Sequence, residues 1–93
     1  MERLTDDQVR DALQSLDGWS LDDGKLYKEF VFPDFRIAFA FMAAVATAAE
    51  AMNHHPEWSN VYRTVRVHLT THDAGGLTAS DTALAAEMDR LAG

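Results

Sequence analysis

There is no cysteine in this chain of 93 residues, which excludes a disulfide framework, a thiolate metal site and a cysteine nucleophile. That absence fits a cytoplasmic protein, and the opening MERLTDDQ has no basic and apolar leader, so export is not expected. Positive charge is scarce too. With 8 Lys and Arg against 15 Asp and Glu the net charge is -7, and such a surface repels nucleic acid and anionic membrane. Arg63 and Arg66 are too few to build a basic patch. No apolar run stays uncharged for the roughly 18 residues of a membrane span. The most apolar segment, Ile37 to Ala49, lies between Arg36 and Glu50 and is expected to be a buried helix. Gly75-Gly76 lacks the lysine and the serine or threonine that make a glycine loop bind phosphate.

What is present suits one small soluble domain, 47% apolar and 25% charged. Thr5 can cap a helix, Gln8 can reach back to it, and Leu4 can staple onto Val9. The stripe Leu4, Val9, Ala12, Leu13, Leu16 and the exit at Asp17-Gly18 predict a helix over about Asp6 to Leu16. Trp19 to Asp22 and Lys25 to Phe32 alternate as strands around Asp23-Gly24, a pair suited to a type I′ turn. Pro33 ends the second strand, and Asp34 caps a long helix running through Asn53. Its predicted stripe is Phe35, Ala38, Phe39, Met42, Val45, Ala46, Ala49 and Met52. Pro56 stops this helix near Asn53 or His54.

Trp58 to Tyr62 and Thr64 to Thr71 read as a second hairpin. Val65, Val67 and Leu69 share one face of its second strand, and Arg66, His68, Thr70 and, without a bulge, His72 share the other. A loop from Asp73 to Gly76 precedes a last helix capped by Thr78, with the stripe Leu84, Met88 and Leu91. The expected fold is α+β: a four-stranded antiparallel sheet packed against three helices in the order α-β-β-α-β-β-α.

All four histidines fall between Glu50 and Asp73. An imidazole titrates near neutral pH, so such a cluster is a candidate acid and base set. His54 lies four residues after Glu50, and on a continuing helix the two side chains share a face. That carboxylate and the negative helix end would both favour imidazolium, making His54 a candidate proton donor and leaving His55 to point elsewhere. A metal site is the other chemical reading, with His68, His72 and Asp73 as further ligands. The spacing argues against it: no H-E-x-x-H occurs, and His68 and His72 on one strand would stand roughly 13 Å apart. Asp81, three residues after Thr78, is expected to complete a capping box. Trp19 and Trp58 are candidates either for the core or for the wall of a flat-ligand site.

Glu50, His54-His55-Pro56, Tyr62, His72 between Thr71 and Asp73, and Asp81 together resemble the pattern of the pterin-4a-carbinolamine dehydratases. The likeness extends through Gly18-Trp19, Phe32-Pro33-Asp34-Phe35, Ala38 to Met42 and Gly76-Leu77, so it covers nearly the whole chain. The resemblance implies dehydration of 4a-hydroxytetrahydropterin to quinonoid dihydropterin, with His54, His55 and His72 as the acid and base set. It implies no cofactor, neither metal nor nucleotide. Glu50, Trp58 or Trp19, Thr71, Asp73 and Asp81 are the expected pterin-binding residues, and His68 matches no family site. Some animal relatives also serve as dimerisation partners of a homeodomain transcription factor, so a protein-interaction module is the alternative. The sheet edges of a small domain can pair between subunits, and a homodimer or homotetramer is expected.

Overall fold

Thr5 opens the first helix as its sequence predicts. In the computed structural model, which describes residues 1–93, Thr5 accepts from the Gln8 N–H while the Gln8 side chain accepts from the Thr5 N–H, a complete capping box. Helix α1 runs Asp6–Ser15, and Gly18 at φ 82° turns the chain out of it. Strands β1 (Ser20–Asp22) and β2 (Lys25–Val31) follow, joined by Asp23 and Gly24, both at positive φ as a type I′ turn requires. Asp34 then accepts from the Ile37 N–H and starts α2 (Phe35–Met52).

The second hairpin is β3 (Glu57–Val61) and β4 (Thr64–Leu69), pinned at its turn by Asn60 Nδ2 donating to the carbonyls of Tyr62 and Thr64. The sheet order is β1-β2-β4-β3, antiparallel throughout, so the two hairpins meet along β2 and β4. A single 3-10 turn at His72–Ala74 leads to α3 (Ala79–Ala92). The architecture is the α+β fold expected, α-β-β-α-β-β-α.

Alternate residues of β2 and β4, namely Leu26, Phe30, Val65, Val67 and Leu69, are buried in one cluster with Ala38, Phe41, Val45 and Ala49 of α2 and Leu84, Ala85 and Met88 of α3. The helices therefore cover one face of the sheet, and Tyr27, Glu29, Arg66 and His68 lie on the other, open face. Trp19 belongs to this core. Its indole N–H donates to Asp89 on α3, and Lys28 donates to both Asp89 and the Asp17 carbonyl, tying the exit of α1 to β2 and α3.

One part of the predicted helix stripe is corrected. Phe35, Phe39 and Ala46 of α2 face outward, whereas Phe41, outside the predicted stripe, is buried. α2 is apolar around most of its circumference, so its periodicity does not specify which side meets the sheet.

Candidate active site

Each of the four imidazoles meets a carboxylate, and each does so through Nε2. The pairs are His54 with Asp81 at 2.6 Å, His55 with Glu50 at 2.8 Å, His68 with Asp22 at 2.7 Å and His72 with Glu57 at 2.9 Å. A histidine nitrogen engaged in this way fixes the ring and leaves Nδ1 as the nitrogen free to exchange a proton.

His54 owes its position to the way α2 ends. Asn53 adopts the left-handed conformation at φ 51°, and the His54 N–H bonds back to the Ala49 carbonyl at 3.0 Å. The chain reverses there, so His54 no longer stands one turn above Glu50. This corrects the expected Glu50–His54 pair: Glu50 engages His55 at the surface, and His54 turns inward to Asp81.

Asp81 has no solvent exposure. Its Oδ2 accepts from the Thr78 N–H at 2.9 Å, completing the capping box of α3, and from the Thr71 hydroxyl at 2.8 Å. Its Oδ1 takes His54. The Thr71 and Thr78 hydroxyls also lie 2.9 Å apart. One buried carboxylate thus joins the start of α3, the segment after β4 and the exit of α2, and no buried side-chain polar atom in the protein lacks a partner.

His72 is delivered differently. β4 stops at Leu69, Thr71 bridges to Gly76, and the intervening 3-10 turn carries His72 away from the strand's alternation. Together Asn53, His54, His55, Thr70, Thr71, His72 and Asp73 line a cleft of about 280 Å³ with no apolar side chain in its wall. The three histidines assigned by resemblance thus share one cleft, with Thr71 and Asp73 between them. Glu50 stands beside it through His55. Neither tryptophan lines the cleft: Trp19 is in the core, and Trp58, opposite Val67, packs against the core from the helix side of the sheet. His68 lies on the open sheet face, with its ring 4.7 Å from that of Tyr27. No three of the imidazoles and carboxylates converge as a metal ion requires.

Glu57 was not among the residues singled out in the sequence. Its Oε1 accepts from Lys25 Nζ at 2.7 Å while Oε2 takes His72. The Lys25 hydrogen bond first, and that of His72 second, hold the Glu57 carboxyl below its ordinary value, and the bond to Glu57 raises Lys25. The signal available was the hairpin itself, whose alternation places Glu57 on the same face as His68 and Thr70.

Residues 2–91 match the family described as pterin 4 alpha carbinolamine dehydratase. A protein of Solibacter usitatus is 51% identical over 90 residues, covering 97% of this chain and 95% of its own, and one of Rhodopseudomonas palustris is 54% identical over 94 residues, covering 99% and 93%. Both bear the provisional name of pterin-4-alpha-carbinolamine dehydratase. The crystal structure of a transcriptional coactivator/pterin dehydratase from Brucella melitensis superimposes with a TM-score of 0.96 at 45% identity, covering 99% of this chain and 100% of that one. A pterin dehydratase-like RuBisCO assembly factor of the alpha-carboxysome superimposes with a TM-score of 0.67 at 28% identity, covering 81% and 87%.

The three donors gathered on Asp81 make it the most demanding position in the site. Asp81→Ala leaves His54 Nε2, the Thr71 hydroxyl and the Thr78 N–H without their acceptor, and is expected to lower the unfolding free energy by about 3–5 kcal/mol. Glu50→Ala, which breaks an exposed pair, is expected to change it by no more than about 0.5 kcal/mol. Urea unfolding of both variants checks the contrast, and equal losses would remove Asp81 from its central place.

Proposed function

The chain belongs to the pterin 4 alpha carbinolamine dehydratase family, and on that premise we propose that it dehydrates a 4a-hydroxytetrahydropterin to the quinonoid dihydropterin, in support of tetrahydropterin recycling. The observation that carries the proposal is the meeting of His54, His55 and His72 at one polar cleft. The reaction breaks the C4a–O bond as the hydroxyl takes a proton and leaves as water. A proton lost from a ring nitrogen supplies the electron pair for the new C=N bond. Both transfers suit imidazoles, and proton transfer by a positioned group is worth roughly 10²–10⁴ in rate.

His54 is the proposed acid. Asp81 occupies its Nε2 and holds the ring, so the proton exchanged with the 4a-hydroxyl is the one on Nδ1. His55 and His72 are the proposed partners for the ring nitrogen. The polar lining, with Thr71 and Asp73, suits the donor and acceptor edge of a pterin.

Self-association is a second part of the proposal. Phe35 and Phe39, one turn apart at the start of α2 with ring centroids 5.8 Å apart, are 49% and 57% exposed, an apolar pair that a homodimer or homotetramer would cover. The same face favours the alternative of an interaction module for another protein, as the coactivator and assembly-factor descriptions of the two structural relatives suggest.

Replacing His54 or His72 by Ala is expected to lower the dehydration rate by about 10²-fold, read by stopped flow on freshly formed carbinolamine. Wild-type rates in both variants would exclude these residues from proton transfer. Light scattering at micromolar concentration is expected to give a mass of two or four chains, and a mass of one chain counts against self-association.

A further inference from the structure

Three side chains lead away from the cleft across the open face of the sheet. Glu57, at the start of β3, stands opposite His68 in the strand register. His68 is already engaged by Asp22, so Glu57 is left to divide its two oxygens between Lys25 and His72. Lys25 begins β2 and reaches across β4 to meet it.

We propose that Glu57 is a positioning residue for His72, held in its turn by Lys25, and this proposal rests on the dehydratase reading above. His72 needs such a partner. Its side chain is 74% exposed, it rides on a three-residue turn, and it makes no other side-chain hydrogen bond. An exposed imidazole without a tether samples several rotamers, whereas proton transfer needs the ring held within hydrogen-bond reach of the reacting atom. With Nε2 on Glu57, the nitrogen offered to a ligand is Nδ1, the same choice His54 makes with Asp81.

An exposed ion pair adds little to stability, so the contribution expected of this one is orientation. The pairing with Lys25 suits that role. With its carboxyl held below the ordinary value, Glu57 stays an acceptor above the usual carboxylate range and releases His72 only as pH falls through the lowered value. The charged groups bearing on the triad are Asp22 and Asp23 beside Lys25 and the His68 imidazole facing Glu57 from β4.

The test joins a structural readout to a double-mutant cycle. Side-chain couplings of His72 by NMR at neutral pH are expected to report one rotamer in the wild type and averaging in Glu57→Val. In the wild type the averaging should set in only at a pH below the ordinary glutamate range, and in Lys25→Met at a higher pH than in the wild type. Glu57→Val is expected to lower kcat by about tenfold with KM little changed, and to have no further effect in a His72→Ala background. Glu57→Gln, which keeps an acceptor oxygen, should recover part of the loss. A single His72 rotamer in Glu57→Val, or an equal loss of rate with and without His72, overturns the proposal. A wild type that holds His72 as described but does not dehydrate carbinolamine overturns the dehydratase reading alone, since the rotamer measurements stand without turnover.

Discussion

The buried carboxylate of Asp81 is the constraint on which the site depends. A charge without solvent is costly unless its lone pairs are filled, and here a backbone N–H, a hydroxyl and an imidazole fill them. Meeting that requirement brings three separate parts of the chain to one point: the cap of α3, the segment leaving β4 and the exit of α2. The cap that starts a helix and the group that aims His54 are the same carboxylate, so fold and site cannot be separated at this position.

Around that fixed imidazole the other two are held more loosely. His55 and His72 are 58% and 74% exposed and meet carboxylates on the surface, where such pairs stabilise little but still choose a ring nitrogen. The cleft therefore combines one largely buried imidazole with two exposed ones, each tethered by a carboxylate. That suits a reaction in which one proton reaches the 4a-hydroxyl and another leaves the ring nitrogen bonded to C4a, with a ligand covering the exposed rings as it binds.

Much of the fold was legible because the local signals agreed with one another. The two capping boxes, the Asp23-Gly24 turn and the alternation of Val65, Val67 and Leu69 each left one solution, and all are found. The buried side of α2 was legible in part: Ala38, Val45 and Ala49 of the predicted stripe are buried, but an alanine-rich helix with phenylalanines on several faces left the choice among Phe35, Phe39 and Phe41 to tertiary packing. In the site, the histidines could be named from their chemistry and from resemblance, but their partners could not. Pairing His54 with Glu50 assumed that the helix continued, and a single left-handed residue, Asn53, redirected the chain. The Asp81–His54 and Glu57–His72 pairs join elements that sequence spacing does not relate.

The central claim is that the three imidazoles of the cleft act together on one pterin. The most direct measurement is a crystal structure of the protein with a stable dihydropterin bound. The account predicts the ring in the cleft between Asn53 and Asp73, with its 4a position within hydrogen-bond reach of Nδ1 of at least two of His54, His55 and His72. A pterin bound elsewhere, or one whose 4a edge faces none of the three, would contradict it.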